Sequence, residues 1–311
     1  MSSQPIRIGT RGSPLALVQA EFVKKSLLKA HKGFDRSIEI VPIKTKGDSL
    51  LNSTFAELGG KGVFTKEIEE SLLAGDIHMA VHSMKDMPPK CPPGLEVPCL
   101  LPREDPRDAF VSFHFNNLED LPEGALLGTA SVRRQAQALH VRPDLEITLL
   151  RGNVNTRLEK IKKGVADATI MAYAGLKRLK MEESARHVFS TDDFLPAPSQ
   201  GIIGVEIRED DEEIRKLLEP INHPPTEVCY HTERTFLDVM EGNCRVPIGG
   251  YALLLDDSTI KFQGLIARPD GRLLLRHEEE APLNQWETLG ESVGRVLKEH
   301  ISYGQSTHHA S

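Results

Sequence analysis

The chain has 311 residues, of which 39% are hydrophobic and 27% charged, and its formal net charge is −7. That composition belongs to an ordinary globular protein of two or three domains, and the negative balance argues against a general nucleic-acid binder. No apolar run approaches the roughly 20 residues needed to cross a bilayer, and Arg7 and Arg11 interrupt the place of a signal core, so a cytoplasmic protein is expected.

Taken in order, Ile6 and Ile8 flank Arg7 in a short strand. Thr10-Arg11-Gly12-Ser13-Pro14 follows, with Ser13 suited to cap a helix and Pro14 to its first position. Leu15, Val18 and Phe22 recur at helical spacing to about Lys29, and a second strand is expected over 37–44. Residues 45–64 show no period and hold the run Gly59-Gly60-Lys61-Gly62, which lacks the spacing of a P-loop. They read as a lid carrying Lys61, or as a plain surface loop. Thr65 is expected to cap a helix that Gly75 stops.

Ile77, Met79 and Val81 then alternate as a strand that runs into Ser83, Lys85 and Asp86, where Pro88 and Pro89 forbid a helix. Seven prolines between 88 and 106 mark a connector, with a domain crossing expected near 101–107. Strands at 126–128, 147–150 and 168–171 alternate with helices, one capped by Ser131 and the next following Arg151-Gly152-Asn153, which predicts a mostly parallel sheet. Residues 194–200 look like a second crossing, after which Val205 and Ile207 can rejoin the first sheet. The acidic run 209–213 opens a helix. A last region has a helix over 226–240, a loop with Cys244, three strands joined in part by an Asp270-Gly271 hairpin, and a helix over 285–300 before a frayed tail. The expected class is α/β, with domains of 1–101 plus 200–219, 102–199 and 220–311.

The chemistry gathers at three places. Asp86 is a carboxylate delivered to a strand end beside Lys85, where ligands of open α/β sheets bind, although from these nine residues alone a surface salt bridge is the default reading. Arg133, Arg134, Arg151 and Arg157 stand near helix starts, and Arg11 beside Ser13 repeats the arrangement. Helix N-termini disfavour cations and offer N–H groups to anions, so a bound anion is expected to balance them, unless each arginine pairs with a local Asp or Glu. Carboxylates suit guanidinium, which binds them bidentately. Cys244 lies beside Arg245, which favours the thiolate, while spacing alone favours a buried inert cysteine. The four cysteines show no C-x-x-C spacing, so a reduced chain without a zinc site is expected.

In combination, Ile8-Gly-Thr-Arg-Gly-Ser-Pro-Leu-Ala-Leu17, Gly59-Gly-Lys-Gly62, His82-Ser-Met-Lys-Asp86, Arg103-Glu-Asp-Pro-Arg-Asp-Ala-Phe110, Ser131-Val-Arg-Arg-Gln135, Arg151-Gly-Asn-Val-Asn-Thr-Arg157 and Ala174-Gly-Leu-Lys-Arg178 resemble the motifs of the porphobilinogen deaminases, also called hydroxymethylbilane synthases, over nearly the whole chain. The resemblance implies two lobes like those of type II periplasmic binding proteins and a small α+β C-terminal domain. It also implies a transferase of tetrapyrrole and haem biosynthesis, which joins four porphobilinogens head to tail with loss of ammonia to give hydroxymethylbilane. The implied cofactor is a dipyrromethane in thioether linkage to Cys244, in a monomer.

On the same resemblance Asp86 is the catalytic group, and Arg11, Arg133, Arg134, Arg151, Arg157 and Arg178 bind carboxylates. Ser13, Lys85, Thr129 and Ser131 are donors beside them, and Gln200 contacts the cofactor. Three positions depart from the motifs: Ala130 where serine is common, Asn243 for a glycine, and Arg245 for a smaller or neutral residue. A two-lobed binding protein without catalysis is the alternative that the lobes alone would allow.

Overall fold

The computed structural model describes residues 4–45, 64–240 and 246–306. The chain divides into two compact units: Met1–Asp105 with Lys177–Met181 and Gly201–Glu227, and Pro106–Leu176 with Glu182–Gln200 and Val228–Ser311.

The first unit is built on one five-stranded sheet. Strand β1 (Ile6–Arg11) leads into α1 (Pro14–Ala30), and β2 (Ile38–Ile43) lies parallel to β1. Helix α2 (Lys66–Leu73) precedes β3 (Met79–Ser83), which pairs with the other side of β1, again parallel. The proline-rich stretch contains a strand that its composition hid, β4 (Leu95–Leu100). Pro92, Pro93 and Pro98 break the alternation expected of a strand, and pairing with a neighbour that arrives far later in the chain supplies what local preference does not.

In the second unit, β5 (Asp108–Val111), β6 (Leu126–Gly128), β7 (Glu146–Thr148), β8 (Ala168–Ala172) and β9 (His187–Val188) form another five-stranded sheet. Helices α3 (Val132–Val141) and α4 (Val154–Lys162) connect its parallel strands, and α5 (Tyr173–Arg178) follows β8. The strands β5 and β9 were not expected, being four and two residues long with no period to read.

Strand β10 (Ile203–Arg208) returns to the first sheet and inserts between β3 and β4, antiparallel to both. The orders are therefore β2-β1-β3-β10-β4 and β7-β6-β8-β5-β9. In each, one strand runs against four: β10 in the first sheet and β5 in the second. Both odd strands are those that enter after the chain has crossed from the other unit. Both sheets are α/β, as the sequence predicts. Buried Ile8, Met79, Val81 and Val205 pack with Val23 and Leu27 on one side of the first sheet, and Ala80 with Ile68 and Leu72 on the other. Phe110, Leu127, Ile170 and Phe194 are the heart of the second.

Helices α6 (Glu212–Leu218) and α7 (Pro224–Val239) lead to a small antiparallel sheet of β11 (Ile248–Leu254), β12 (Thr259–Ala267) and β13 (Leu274–Pro282), closed by α8 (Trp286–Ser306). Phe236, Phe262, Val293 and Leu297 form its core. Helix α8 runs six residues past the expected end at 300 and takes in Gly304, where a frayed tail is expected.

Candidate functional site

Two groups of expected site residues come together, one in each unit. In the first unit, β1 ends at Arg11 and Ser13 caps α1, its hydroxyl accepting the Ala16 N–H at 3.3 Å. Next to β1, β3 ends at Ser83 and the chain makes a single 3₁₀ turn, Met84–Asp86, before Pro88 and Pro89. Parallel pairing of β1 with β3 thus brings the two strand ends to one edge. They line a pocket with Arg11, Ser13, Gln19, Phe64, Ser83 and Asp86 on its walls. Asp86 is exposed and Lys85 half-buried. The Arg11 guanidinium lies 4.1 Å from the Phe64 ring centroid, a cation–π contact.

Gln19 carries no sequence signal, and Ser83 is legible only as the end of its strand. The Gln19 amide donates to Ser83 Oγ at 2.8 Å, and that hydroxyl donates to Gln19 Oε1 at 3.1 Å, tying α1 to the end of β3. Behind the pocket, buried His82 Nε2 meets Glu206 Oε2 at 3.0 Å. Burial raises the Glu69 carboxyl pKa on α2, and the Glu206 charge raises it further. Thr65 corrects an expectation: its hydroxyl makes no hydrogen bond to cap α2.

In the second unit, Thr129 and Ser131 follow β6, and Ser131 caps α3 as expected, its hydroxyl accepting the Arg134 N–H at 3.4 Å. The Thr129 hydroxyl accepts the Ser131 N–H at 3.1 Å, a local turn that leaves half-buried Ala130 between them. Arg133 and Arg134 are buried, and their counter-ion comes from within the chain. Asp108, the first residue of β5, is fully buried. Its Oδ1 accepts from Arg134 at 3.2 Å (Nε) and 2.7 Å (NH2), and its Oδ2 lies 2.7 Å from Arg133 NH1. Gln200 Nε2 adds a donor to Asp108 Oδ1 at 2.9 Å and another to Pro106 O at 2.7 Å. Burial pushes the Asp108 carboxyl up, but the two guanidiniums outweigh it and hold the group well below the usual carboxylate range. Burial and the Arg134 charge lower the Arg133 pKa, against the pull of Asp108.

This changes one expectation. The anion that balances one of the two α3 charges is Asp108, the last carboxylate of the Arg103–Phe110 motif. Nothing local could have shown it, since 25 residues separate it from Arg133.

Arg151 and Arg157 flank the loop from β7 to α4. The Arg157 Nε donates to Gly152 O at 2.9 Å, and the Lys160 ammonium donates to Arg151 O at 3.0 Å. Gly152 has φ +119°, and a Cβ there would stand 2.6 Å from Thr156 Cγ2, so the loop requires glycine. Asn153 caps α4. The Thr129 N–H donates to Thr148 O at 2.9 Å, so the loops after β6 and β7 leave the same sheet edge.

Arg178 belongs with the first unit, where its NH2 donates to Gly201 O at 2.6 Å. Burial lowers its pKa to about 10, with Glu104 pulling the other way. Beside it Lys177 pairs with Glu104. Cys244, Lys61, Asn243 and Arg245 lie outside the described residues, as does nearly all of the expected lid. Among the described residues no three His, Cys, Asp or Glu side chains are arranged to hold a metal ion, and no helix is long and apolar enough to cross a membrane.

Comparison with known proteins adds the following. In structure, the chain resembles the methionine-binding protein MetQ at TM-score 0.46 and 12% identity, over 71% of this chain and 91% of that one. It resembles a putative methionine-binding lipoprotein of Bacillus subtilis at TM-score 0.43 and 10% identity, over the same shares. In sequence it is 49% identical over 292 residues to the porphobilinogen deaminase of Nitrobacter winogradskyi, covering 94% of this chain and 92% of that one. It is 47% identical over 297 residues to the chloroplastic porphobilinogen deaminase of Oryza sativa subsp. japonica, covering 94% and 83%. Residues 6–216 match the family model for the dipyrromethane cofactor-binding domain of porphobilinogen deaminase, and residues 228–299 match that for its C-terminal domain. The chain belongs to the porphobilinogen deaminase family.

Proposed function

We propose that this chain is the transferase that condenses four porphobilinogens head to tail, releasing ammonia, into hydroxymethylbilane, with a dipyrromethane held by a thioether at Cys244. The match of both family models across 6–216 and 228–299 carries this reading. We further propose three domains, 1–101 plus 200–219, 102–199 and 220–311; the three sheets among the described residues, each with its own apolar cluster, support that division. A cytoplasmic monomer completes the proposal.

The residues present fit a group rich in carboxylates. Two buried guanidiniums share one internal carboxylate, and Arg11 and Ser13 share a pocket with Asp86. Arg133, Arg134, Arg151, Arg157 and Arg178, with Thr129, Ser131 and Gln200, are the proposed partners of cofactor and growing chain. When bound, the dipyrromethane supplies the pyrrole position to which the first porphobilinogen is joined.

Asp86 has a different task. Each porphobilinogen becomes cationic as its amine departs, and a carboxylate held in place beside the pyrrole N–H stabilises that charge as it develops. It is also suited to move a proton at its own oxygens. The short turn and the two prolines limit how far Asp86 can move from the end of β3. Arg11 and Lys85, close by, suit the acetate and propionate of the incoming molecule.

Intact-mass measurement and peptide mapping test the proposal. The expected result is a dipyrromethane mass on the peptide that contains Cys244, and hydroxymethylbilane formed from porphobilinogen. An unmodified chain that turns over, or the added mass on Cys91, Cys99 or Cys229, overturns the attachment site.

A further inference from the structure

We infer that Glu206 of β10 is a positioning residue for Asp86: its buried carboxylate fixes His82, and through His82 the strand end from which the Asp86 turn leaves. The inference rests on the proposed catalytic role of Asp86 and adds what holds it. Across the β3–β10 pair, His82 stands opposite Gly204, and Ala80 opposite Glu206. Opposed residues share a face of the sheet. Ala80 packs with Ile68 and Leu72 of α2, so His82 and Glu206 lie on the α2 side. There His82 Nε2 and Glu206 Oε2 meet at 3.0 Å, both side chains buried. Ser83 turns to the other face, where Gln19 of α1 holds it. The end of β3 is therefore gripped from both sides, and His82, Ser83 and Asp86 line one pocket.

The same segment of chain holds the turn itself. The Met84 N–H donates to Ile202 O at 3.0 Å, and the Met84 side chain lies against Gly204. Met84 opens the 3₁₀ turn that ends at Asp86. A structural role alone does not account for Glu206. Among the described residues His82 is its side-chain hydrogen-bond partner, and its Oε1 accepts no hydrogen bond. Its charge also acts against the Glu69 carboxylate of α2. Replacing a buried charged pair by apolar residues of similar volume is often neutral or stabilising, so the fold by itself does not call for this carboxylate. Its place beneath the Asp86 pocket does.

Steady-state turnover tests this on full-length protein shown by mass to carry the dipyrromethane, with a melting curve for each variant. Glu206→Leu is expected to lower kcat about 10- to 100-fold, the scale for a misplaced catalytic group. KM for porphobilinogen should stay within about threefold, because the interaction lost is one made with the transition state. Glu206→Gln keeps an oxygen for the His82 N–H and should hold kcat within about threefold of the parent. In an Asp86→Asn background, Glu206→Leu should cost no more than about a further threefold, since a residue that acts through Asp86 then has nothing left to position.

A parental kcat in Glu206→Leu, whatever its melting temperature, would make Glu206 structural and overturn the inference. So would a Glu206→Gln variant as slow as Glu206→Leu, since its hold on His82 is kept. Losses that multiply with Asp86→Asn would overturn it while leaving the catalytic reading of Asp86 in place. Asp86→Asn at the parental rate would overturn that reading and the inference with it. Should Glu206→Leu fail to fold, Glu206→Leu combined with His82→Leu removes both buried polar partners and gives the same comparison.

Discussion

Asp86 and Asp108 are both carboxylates at strand ends, yet their surroundings give them opposite work. Asp86 is exposed in a pocket, so removing its charge should spare the fold. Asp86→Asn is expected to melt within a few degrees of the parent and to turn over about 100- to 1,000-fold more slowly, the loss usual for a preorganised electrostatic group. Turnover at saturating porphobilinogen beside a melting curve, on protein shown by mass to be loaded, checks this. A large drop in melting with turnover preserved would make Asp86 structural.

Asp108 is the reverse case. Asp108→Ala leaves two guanidiniums facing each other in the interior and should cost about 3–5 kcal/mol, measured by denaturant titration. Its folded pKa lies below its unfolded value. Its contribution is therefore present above the ordinary carboxylate range, near pH 4, and is lost as pH falls from there toward the depressed folded value. Asp108→Asn, compared with the parent from pH 7 down to about 3, should lose less stability on acidification. Equal slopes would remove Asp108 from the acid response.

At the scale of elements, the helix starts were legible where one side chain settles them. Ser13 and Ser131 cap their helices as read, because a cap is a contact across three residues. Thr65 had the right chemistry but sits with helical φ and ψ, so its hydroxyl does not cap. The chain re-enters the first unit at Gly201, where Arg178, Glu104 and the backbone crowd together. Gly201 has φ +90°, and a Cβ there would lie 2.3 Å from Glu104 O. Gly201→Ala is expected to destabilise by at least about 1–3 kcal/mol, since a disfavoured backbone and a clash with backbone oxygen act together. Denaturation midpoints measure it, and a change under about 0.5 kcal/mol would show that the turn can relax.

For the whole molecule, a cofactor held by a thioether stays attached when the chain unfolds, but its carboxylates can meet buried arginines only in the folded chain, and that pairing favours the folded state. Cys244→Ser should give a full-length chain without the dipyrromethane mass, without turnover, and with a melting temperature below that of the loaded parent. Equal melting would mean that the cofactor contributes nothing to the fold.

The sequence by itself determined the α/β class, the strand–turn–helix units, their caps and the motifs of the family. Each of these is written in residues a few positions apart, or in a pattern of side chains that can be read in order. Only the tertiary structure decided that β10 slots between β3 and β4, that a proline-rich stretch holds a strand, and that Asp108 and Gln200 brace the arginines of α3. Strand pairing and buried charge compensation join residues tens to more than a hundred positions apart. Their partners are chosen by burial and geometry once the chain has folded, and no local spacing records that choice.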